Sequence, residues 1–445
     1  MKILFVSLGC DKNLSDTEMM LGLLQAKGYA FTDDEEQADV VIVNTCCFIG
    51  DAKEESIEHL LTYAQMRKEG KLQALLVAGC LAERYKEEIQ MEIPEVDAII
   101  GTNAITEVAD ALEEVLAGQG RNHYRDLNEA PAYCRERMLT TGGHFAYLKI
   151  AEGCNKRCTY CIIPKVRGNF RSIPMEDLVA QAKALAEGGV KELILVAQET
   201  TLYGVDLYGK KSLPELLTRL AEIPELYWIR VLYCYPEELT EELIEVIATE
   251  PKVCHYLDIP IQHASDPVLK RMGRRTNQQE LREKIATLRE RIPDICLRTT
   301  LISGFPGETQ EDFEELYRFV NEMEFDRLGV FAYSREEDTP AAVMADQVPE
   351  EIKEARRDEL MELQQAIAFD KADDMIGRKM LVMVEGKVAD EDVYVTRTYR
   401  DAPNVDGYLF LHTTANLMTG DFVKIIVTDS NEYDLIGILD TEDFE

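Results

Sequence analysis

Three short β-branched runs near the N-terminus, KILFVSLGC (2 to 10), ADVVIVNTC (38 to 46) and QALLVAGC (73 to 80), each end in Gly or Asn-Thr and then cysteine. Between them lie LSDTEMMLGLLQAKG and DAKEESIEHLLTYAQMRKEG, whose apolar residues recur at intervals of three and four, the period of a helix. Strand-helix alternation of this kind folds into a parallel sheet. In such sheets the loops at the carboxyl ends of the strands share one edge, where ligands usually sit. Cys10, Cys46 and Cys80 are all predicted at that edge, although 36 and 34 residues separate them along the chain. Each alone reads as a small buried hydrophobe at a strand end, whereas three at equivalent positions read as a shared metal site.

A polar stretch without periodicity, residues 119 to 143, reads as a linker. Beyond it the alternation resumes at larger scale, with predicted strands HFAYLKIAEG, KELILVAQ, LYWIRVLYCY, CHYLDIPIQ, CLRTTLISGF and DRLGVFAYS and amphipathic helices such as IPMEDLVAQAKALAEGG between them. Six β/α units in this span predict an incomplete α/β barrel with its chemistry at the carboxyl ends of the strands. A charged helix then leads into five short strand-like runs, KMLVMVEGKV, DVYVTRTYR, GYLFLHT, DFVKIIVTD and YDLIGILD, which predict a small closed barrel of the oligonucleotide-binding kind. The fold class is therefore α/β throughout the first two parts with a β-barrel at the end. The expected domains are 1–125, 140–372 and 376–445.

The stretch EGCNKRCTYCIIP (152 to 164) follows the first predicted strand of the second domain and packs Cys154, Cys158 and Cys161 into eight positions. Three thiolates on one loop are one fewer than a saturated iron-sulfur cube takes, so one iron is left open. Zinc would want a fourth ligand, and no nearby His or Cys stands at finger spacing. Asn155, Lys156 and Arg157 are too polar for a run of buried core cysteines.

Composition narrows the class. With 46% hydrophobic residues over 445 positions the chain can bury several cores. No apolar run reaches the roughly 20 residues of a membrane span, and MKILFVSLGCDKN lacks the parts of a signal peptide, so the expected location is the cytoplasm. Eleven cysteines, an odd number in a reducing compartment, are poor candidates for a disulfide framework. The formal net charge of −35 disfavours a polyanion and favours a basic partner. One basic run, RMGRRTNQQELRE, reads as a solvated helix face.

EGCNKRCTYCIIPKVRGNFRSIP closely resembles the cluster loop of the radical S-adenosylmethionine enzymes, specifically the methylthiotransferases, and the likeness extends over nearly the whole chain through SLGCDKNLSDTEMM, NTCCFIGDAKEES and VAGCLAERY. The resemblance implies a [4Fe-4S] cluster on Cys154, Cys158 and Cys161 whose open iron binds S-adenosylmethionine, and an adenosyl radical as the product of its cleavage. It implies a second [4Fe-4S] cluster on Cys10, Cys46 and Cys80 that holds the sulfur to be inserted. Cys47, beside Cys46, departs from the family pattern, so either thiol could serve there; Asp11 stands where proline is expected. VAQETTLYGVD, DIPIQHASDPVLKRMGRR and LISGFPGET match strand ends of the family, so Gln198, Gln262 and the Gly304 to Gly307 turn are expected to line the S-adenosylmethionine pocket, with a structural role for each equally open. His263 is assigned nothing, and no catalytic residue is named.

The last domain resembles TRAM, which in relatives acting on transfer RNA helps hold nucleic acid. Here residues 376 to 445 carry six basic and fourteen acidic side chains, the wrong sign for phosphate. TRTYRDAPNVDGYLF and SLGCDKN also resemble the branch of the family that methylthiolates the β-carbon of an aspartate in small-subunit ribosomal protein twelve. The expected partners are that basic protein and an electron-donating reductase, with nucleic acid disfavoured as main ligand. The readings set against this are methylthiolation of a transfer-RNA adenosine and a non-catalytic iron-sulfur redox sensor, whose clusters would normally have four ligands each.

Overall fold

The computed structural model describes residues 1–135 and 137–440. The end of the expected third domain, residues 441–445, lies outside the described residues. The N-terminal part is a parallel sheet of β1 (Lys2–Ser7), β2 (Ala30–Phe31), β3 (Val40–Thr45), β4 (Ala74–Gly79) and β5 (Ala98–Ile100) in the order β2-β1-β3-β4-β5. β3 and β4 are buried along their whole length, which is why VVIVNT and ALLVAG read as continuous apolar runs rather than alternating ones. Helices α1 (Asp11–Ala26), α2 (Gly50–Lys68) and α3 (Cys80–Tyr85) leave the carboxyl ends of β1, β3 and β4. The two added strands, β2 and β5, are short edge elements of two and three residues, too brief to show a period.

The second part is an open sheet of six parallel strands: β6 (Phe145–Lys149), then, after a small hairpin of β7 (Ala151–Glu152) and β8 (Arg171–Ser172), β9 (Glu192–Val196), β10 (Trp228–Val231), β11 (Val253–Asp258), β12 (Cys296–Ser303) and β13 (Arg327–Ala332). Sequential strands are spatial neighbours from β6 to β13, which is the walk of an incomplete barrel. Alternate residues face opposite sides. Ala146, Leu148, Leu193 and Leu195 pack on the outer helices, while Phe145, Tyr147, Ile194, Val196, Trp228 and Tyr256 face inward.

What fills that inward face comes from the end of the chain. β14 (Lys379–Lys387), β15 (Val393–Thr398), β16 (Leu409–His412), β17 (Phe422–Asn431) and β18 (Asp434–Leu439) close into a barrel in the order β14-β15-β16-β18-β17. Its residues Met383, Tyr399, Ala402 and Phe422 join the inward cluster of the six-stranded sheet. The turn after β15 is also bound there by charge. Arg327 meets Asp401 at 2.6 Å, Tyr256 donates to Asp406 at 2.7 Å, and Arg397 joins Glu192 at 2.7 Å. The segment TRTYRDAPNVDGYLF is thus largely a plug in the open barrel.

Among the described residues, the stretch read as a linker has no regular elements beyond a bridge of His123 to Ile100, yet it is strapped to both neighbours. Arg137 pairs with the fully buried Glu18 of α1 at 2.6 Å, and the Tyr133 hydroxyl donates to the carbonyl of Asp177 at 3.0 Å.

Candidate functional site

Cys10 precedes α1, Cys46 follows β3 and Cys80 opens α3, so the three stand at the carboxyl ends of three adjacent parallel strands, as expected. A tight turn makes this possible. Gly9 has φ of 89°, and a β-carbon on it would lie 2.7 Å from Cβ and 2.8 Å from Sγ of Cys46, so only glycine lets the two cysteine turns touch. Cys46 and Cys80 each feel the charge of Cys10. Burial pushes the Cys80 thiol well up, and the Arg167 guanidinium opposes it. Burial likewise pushes Cys47 up to about 12; its carbonyl accepts from Arg84 at 3.3 Å, and it packs in the apolar core that contains Leu8 and Leu81.

Cys154, Cys158 and Cys161 lie on the loop between β7 and β8, whose two ends are held together by the antiparallel pairs Ala151 with Ser172 and Glu152 with Arg171. The amide of Lys156 donates to Cys154 Sγ at 3.4 Å, and the Tyr235 hydroxyl stands 3.9 Å from Cys158 Sγ. Burial pushes the Cys154 thiol up to about 11. Such thiols ionise when a cation binds them. Among the described residues no three His, Cys, Asp or Glu side chains converge on a single metal ion. The donor set on each side, three free thiols with a nitrogen donor at sulfur, fits a cube with one iron open better than a closed mononuclear site; beside Cys46 the further thiol of Cys47 is buried in the apolar core.

A buried ionic network joins the two trios. Arg167, 1% exposed, donates from Nε to Cys80 Sγ at 3.2 Å, from Nη2 to Asn13 at 2.5 Å, and from Nη1 to Asp16 at 2.7 Å and Glu152 at 3.1 Å. Lys149 completes the cluster, bonding Glu152 at 2.9 Å and also Asp16. Burial opposes ionisation of Glu152, yet Lys149 and Arg167 hold its carboxyl well below the usual range. Its second oxygen accepts from Gln198 at 2.9 Å, and Gln198 in turn accepts from the amide of Gly153 at 2.9 Å, one residue before Cys154. Gln198 therefore positions the cluster loop.

The other expected pocket residues lie at the same mouth. Gln262 is half-buried, has φ of 71° and bridges to β12 through its own amide and carbonyl, at 2.9 Å to Thr300 and 2.8 Å from Ile302. Gly304 and Gly307 are packed by protein: a β-carbon would collide with the Lys353 side chain at the first and the Arg271 guanidinium at the second. With Arg157 at φ of 54° and Tyr233 at 60°, Gln262 makes three non-glycine residues in the left-handed region around this mouth. Backbone strain of that kind concentrates at functional sites.

Sequence reasoning missed Lys12, Arg167, Glu152 and Tyr233 as functional residues. Glu152 and Arg167 flank the cysteine run, and their charge beside it was the available signal. Lys12, 6% exposed, places its ammonium 3.3 Å from the centroid of the Tyr233 ring at the end of β10. The Tyr233 amide donates to Asp258 at 3.0 Å, and Asp258 pairs with Arg298 at 3.3 Å, above the plug.

Three families match along the chain: Uncharacterized protein family UPF0004 over residues 2–101, the Radical SAM superfamily over 148–320 and the TRAM domain over 376–439. The fold resembles that of the radical S-adenosylmethionine methyltransferase TsrM from Kitasatospora setae, solved with cobalamin and a [4Fe-4S] cluster, at TM-score 0.56 over 77% of each chain and 13% identity. The chain is 60% identical to ribosomal protein uS12 methylthiotransferase RimO of Lachnoclostridium phytofermentans over 98% of this chain and 99% of that one. It is 49% identical to the RimO protein of Clostridioides difficile, over 98% of each. With both cysteine trios in place at strand ends and this identity sustained from end to end, the chain belongs to the ribosomal protein uS12 methylthiotransferase family of radical S-adenosylmethionine enzymes.

Proposed function

We infer that this protein transfers a methylthio group to the β-carbon of an aspartate in ribosomal protein uS12. The observation that carries the reading is 60% identity to a uS12 methylthiotransferase along 98% of the chain. In this reading Cys154, Cys158 and Cys161 hold one [4Fe-4S] cluster and Cys10, Cys46 and Cys80 a second. When bound, the first supplies the electron that cleaves S-adenosylmethionine and the second presents the sulfur.

The chain's own residues prepare the meeting of these groups. Gln198 and Glu152 fix the loop before Cys154, Arg167 ties that loop to Cys80, and Lys12 with Tyr233 closes the joint between the two domains. The plug from the C-terminal barrel shuts the far side of the six-stranded sheet, which keeps bulk water from the site. The net charge of −35 suits a basic ribosomal protein. An electron-donating reductase and a cytoplasmic location go with this reading; among the described residues no helix is long and apolar enough to cross a membrane.

The test is anaerobic incubation of the reconstituted protein with uS12, S-adenosylmethionine and reductant, followed by mass spectrometry. A methylthio group on one aspartate is expected. Modification of transfer RNA with uS12 untouched would overturn the reading, and intact S-adenosylmethionine would point to a redox sensor instead.

A further inference from the structure

Lys12 belongs to the N-terminal domain, yet its ammonium is spent on the barrel. It stands in the first turn of α1, two residues after the exposed Cys10, and reaches the ring of Tyr233 beyond the end of β10. An aliphatic stem is easily buried, but an ammonium taken from water costs several kcal/mol unless charge answers it. A desolvated cation-π contact returns about 2 kcal/mol, and Tyr233, Cys10 and Asp11 together favour the charged form of Lys12 against its burial. Among the described residues no carboxylate lies within ion-pair distance of Lys12.

The two acids that feel its charge are turned elsewhere. Asp11 accepts from the Tyr233 hydroxyl at 3.5 Å. Asp258 accepts from the Tyr233 amide and pairs with Arg298, which also lies 3.6 Å from Asp406 of the plug. Tyr233 is held at φ of 60°, in the left-handed region, so the face offered to the ammonium is bought with backbone strain. The arrangement is a fixed, nearly dry cation at the joint between the N-terminal cysteines and the barrel mouth.

We propose that Lys12 is the specificity-determining residue that receives the side-chain carboxylate of the substrate aspartate. The inference rests on the uS12 reading above. It fits the chemistry of that substrate, because the β-carbon to be modified is bonded directly to the carboxyl carbon, so fixing the carboxylate fixes the reacting atom. A transfer-RNA adenosine carries no carboxylate for the ammonium to receive.

The experiment titrates anaerobically reconstituted holoenzyme with a fluorescent uS12 peptide carrying the target aspartate, and with a twin carrying asparagine there. The wild type should bind the aspartate peptide about tenfold or more tightly than its twin, the size of a charge-assisted hydrogen bond. Lys12→Met should reduce that preference to less than about twofold, whereas Lys12→Arg, which keeps the charge, should retain most of it. An undiminished preference in Lys12→Met overturns the proposal, as does loss of preference in both variants. So does weakened S-adenosylmethionine binding with the peptide preference intact, since the ammonium would then serve the carboxylate of the cofactor. A wild type that binds neither peptide and modifies transfer RNA instead sinks the uS12 reading itself, and this inference with it.

Discussion

Arg167 Nε stands 3.2 Å from Cys80 Sγ, so a side chain from the loop that carries Cys154, Cys158 and Cys161 touches a thiol of the other trio. The same guanidinium is bound to Asp16 and Glu152, both nearly inaccessible. Replacing it with methionine leaves two buried carboxylates to Lys149 alone, and breaking a buried pair in this way costs about 3–5 kcal/mol. Arg167→Met is therefore expected to lower the urea midpoint of the cluster-free chain, with Arg167→Lys falling between it and the wild type. In the loaded protein, loss of a cationic donor at sulfur should also make the reduction potential of the N-terminal cluster more negative, read by a potentiometric titration followed by electron paramagnetic resonance.

The plug makes a second prediction. Since Met383, Tyr399, Ala402 and Phe422 fill the inward face of the six-stranded sheet, removing residues 376 to 445 should expose that face rather than release an independent enzyme core. The truncated chain is expected to bind a hydrophobic dye and to elute as aggregates on size exclusion. A monomeric truncation with unchanged melting would contradict the plug. The milder change Arg397→Met leaves Glu192 to Arg230 alone and should destabilise the chain by about 3–5 kcal/mol.

Glu199 supplies a pH dependence. It is fully buried, Thr201 donates to it, and burial pushes its carboxyl from 4.5 up to about 7, with Lys156 at 3.9 Å only partly offsetting that. Below pH 4.5 the group is neutral folded or unfolded and costs nothing. As pH rises toward 7 the unfolded chain ionises freely while the folded chain holds its proton, so stability falls across that window and stays low above it. Glu199→Gln should remove this component, and urea titrations of the cluster-free chain at pH 5 and pH 8 should show the variant gaining on the wild type by up to about 3 kcal/mol at the higher pH.

Much of this architecture was legible in the sequence because its signals are local. The strands β3, β4 and β9 announce themselves as buried β-branched runs, and a cysteine one residue past a strand end is placed by the parallel topology alone. The five strands of the terminal barrel were equally visible. Its docking was not, since Asp401 and Asp406 read as turn residues and meet Arg327 and Tyr256 only through a packing that brings residues 74 and 150 positions apart together. Lys12, Asp16, Lys149 and Arg167 were hidden for the same reason. A charge in a helix or strand looks solvated until its partner, supplied by another domain, is known. At Gly304 and Gly307 the tight turn was legible, whereas its packing against Lys353 and Arg271 was not.

The cysteine trios should separate functionally. Alanine at Cys154, Cys158 and Cys161 is expected to abolish 5′-deoxyadenosine formation. Alanine at Cys10, Cys46 and Cys80 should leave that cleavage measurable and abolish methylthiolated product, as liquid chromatography of the quenched reaction will show. Unchanged product from the second variant would contradict its role in presenting sulfur.

The most direct test of the account is the iron and sulfide content of anaerobically reconstituted protein, measured on the wild type and on each triple-alanine variant. Two cubes predict about eight irons per wild-type chain and about four in either variant. A wild type that saturates at about four irons, with no loss on replacing Cys10, Cys46 and Cys80, would contradict it.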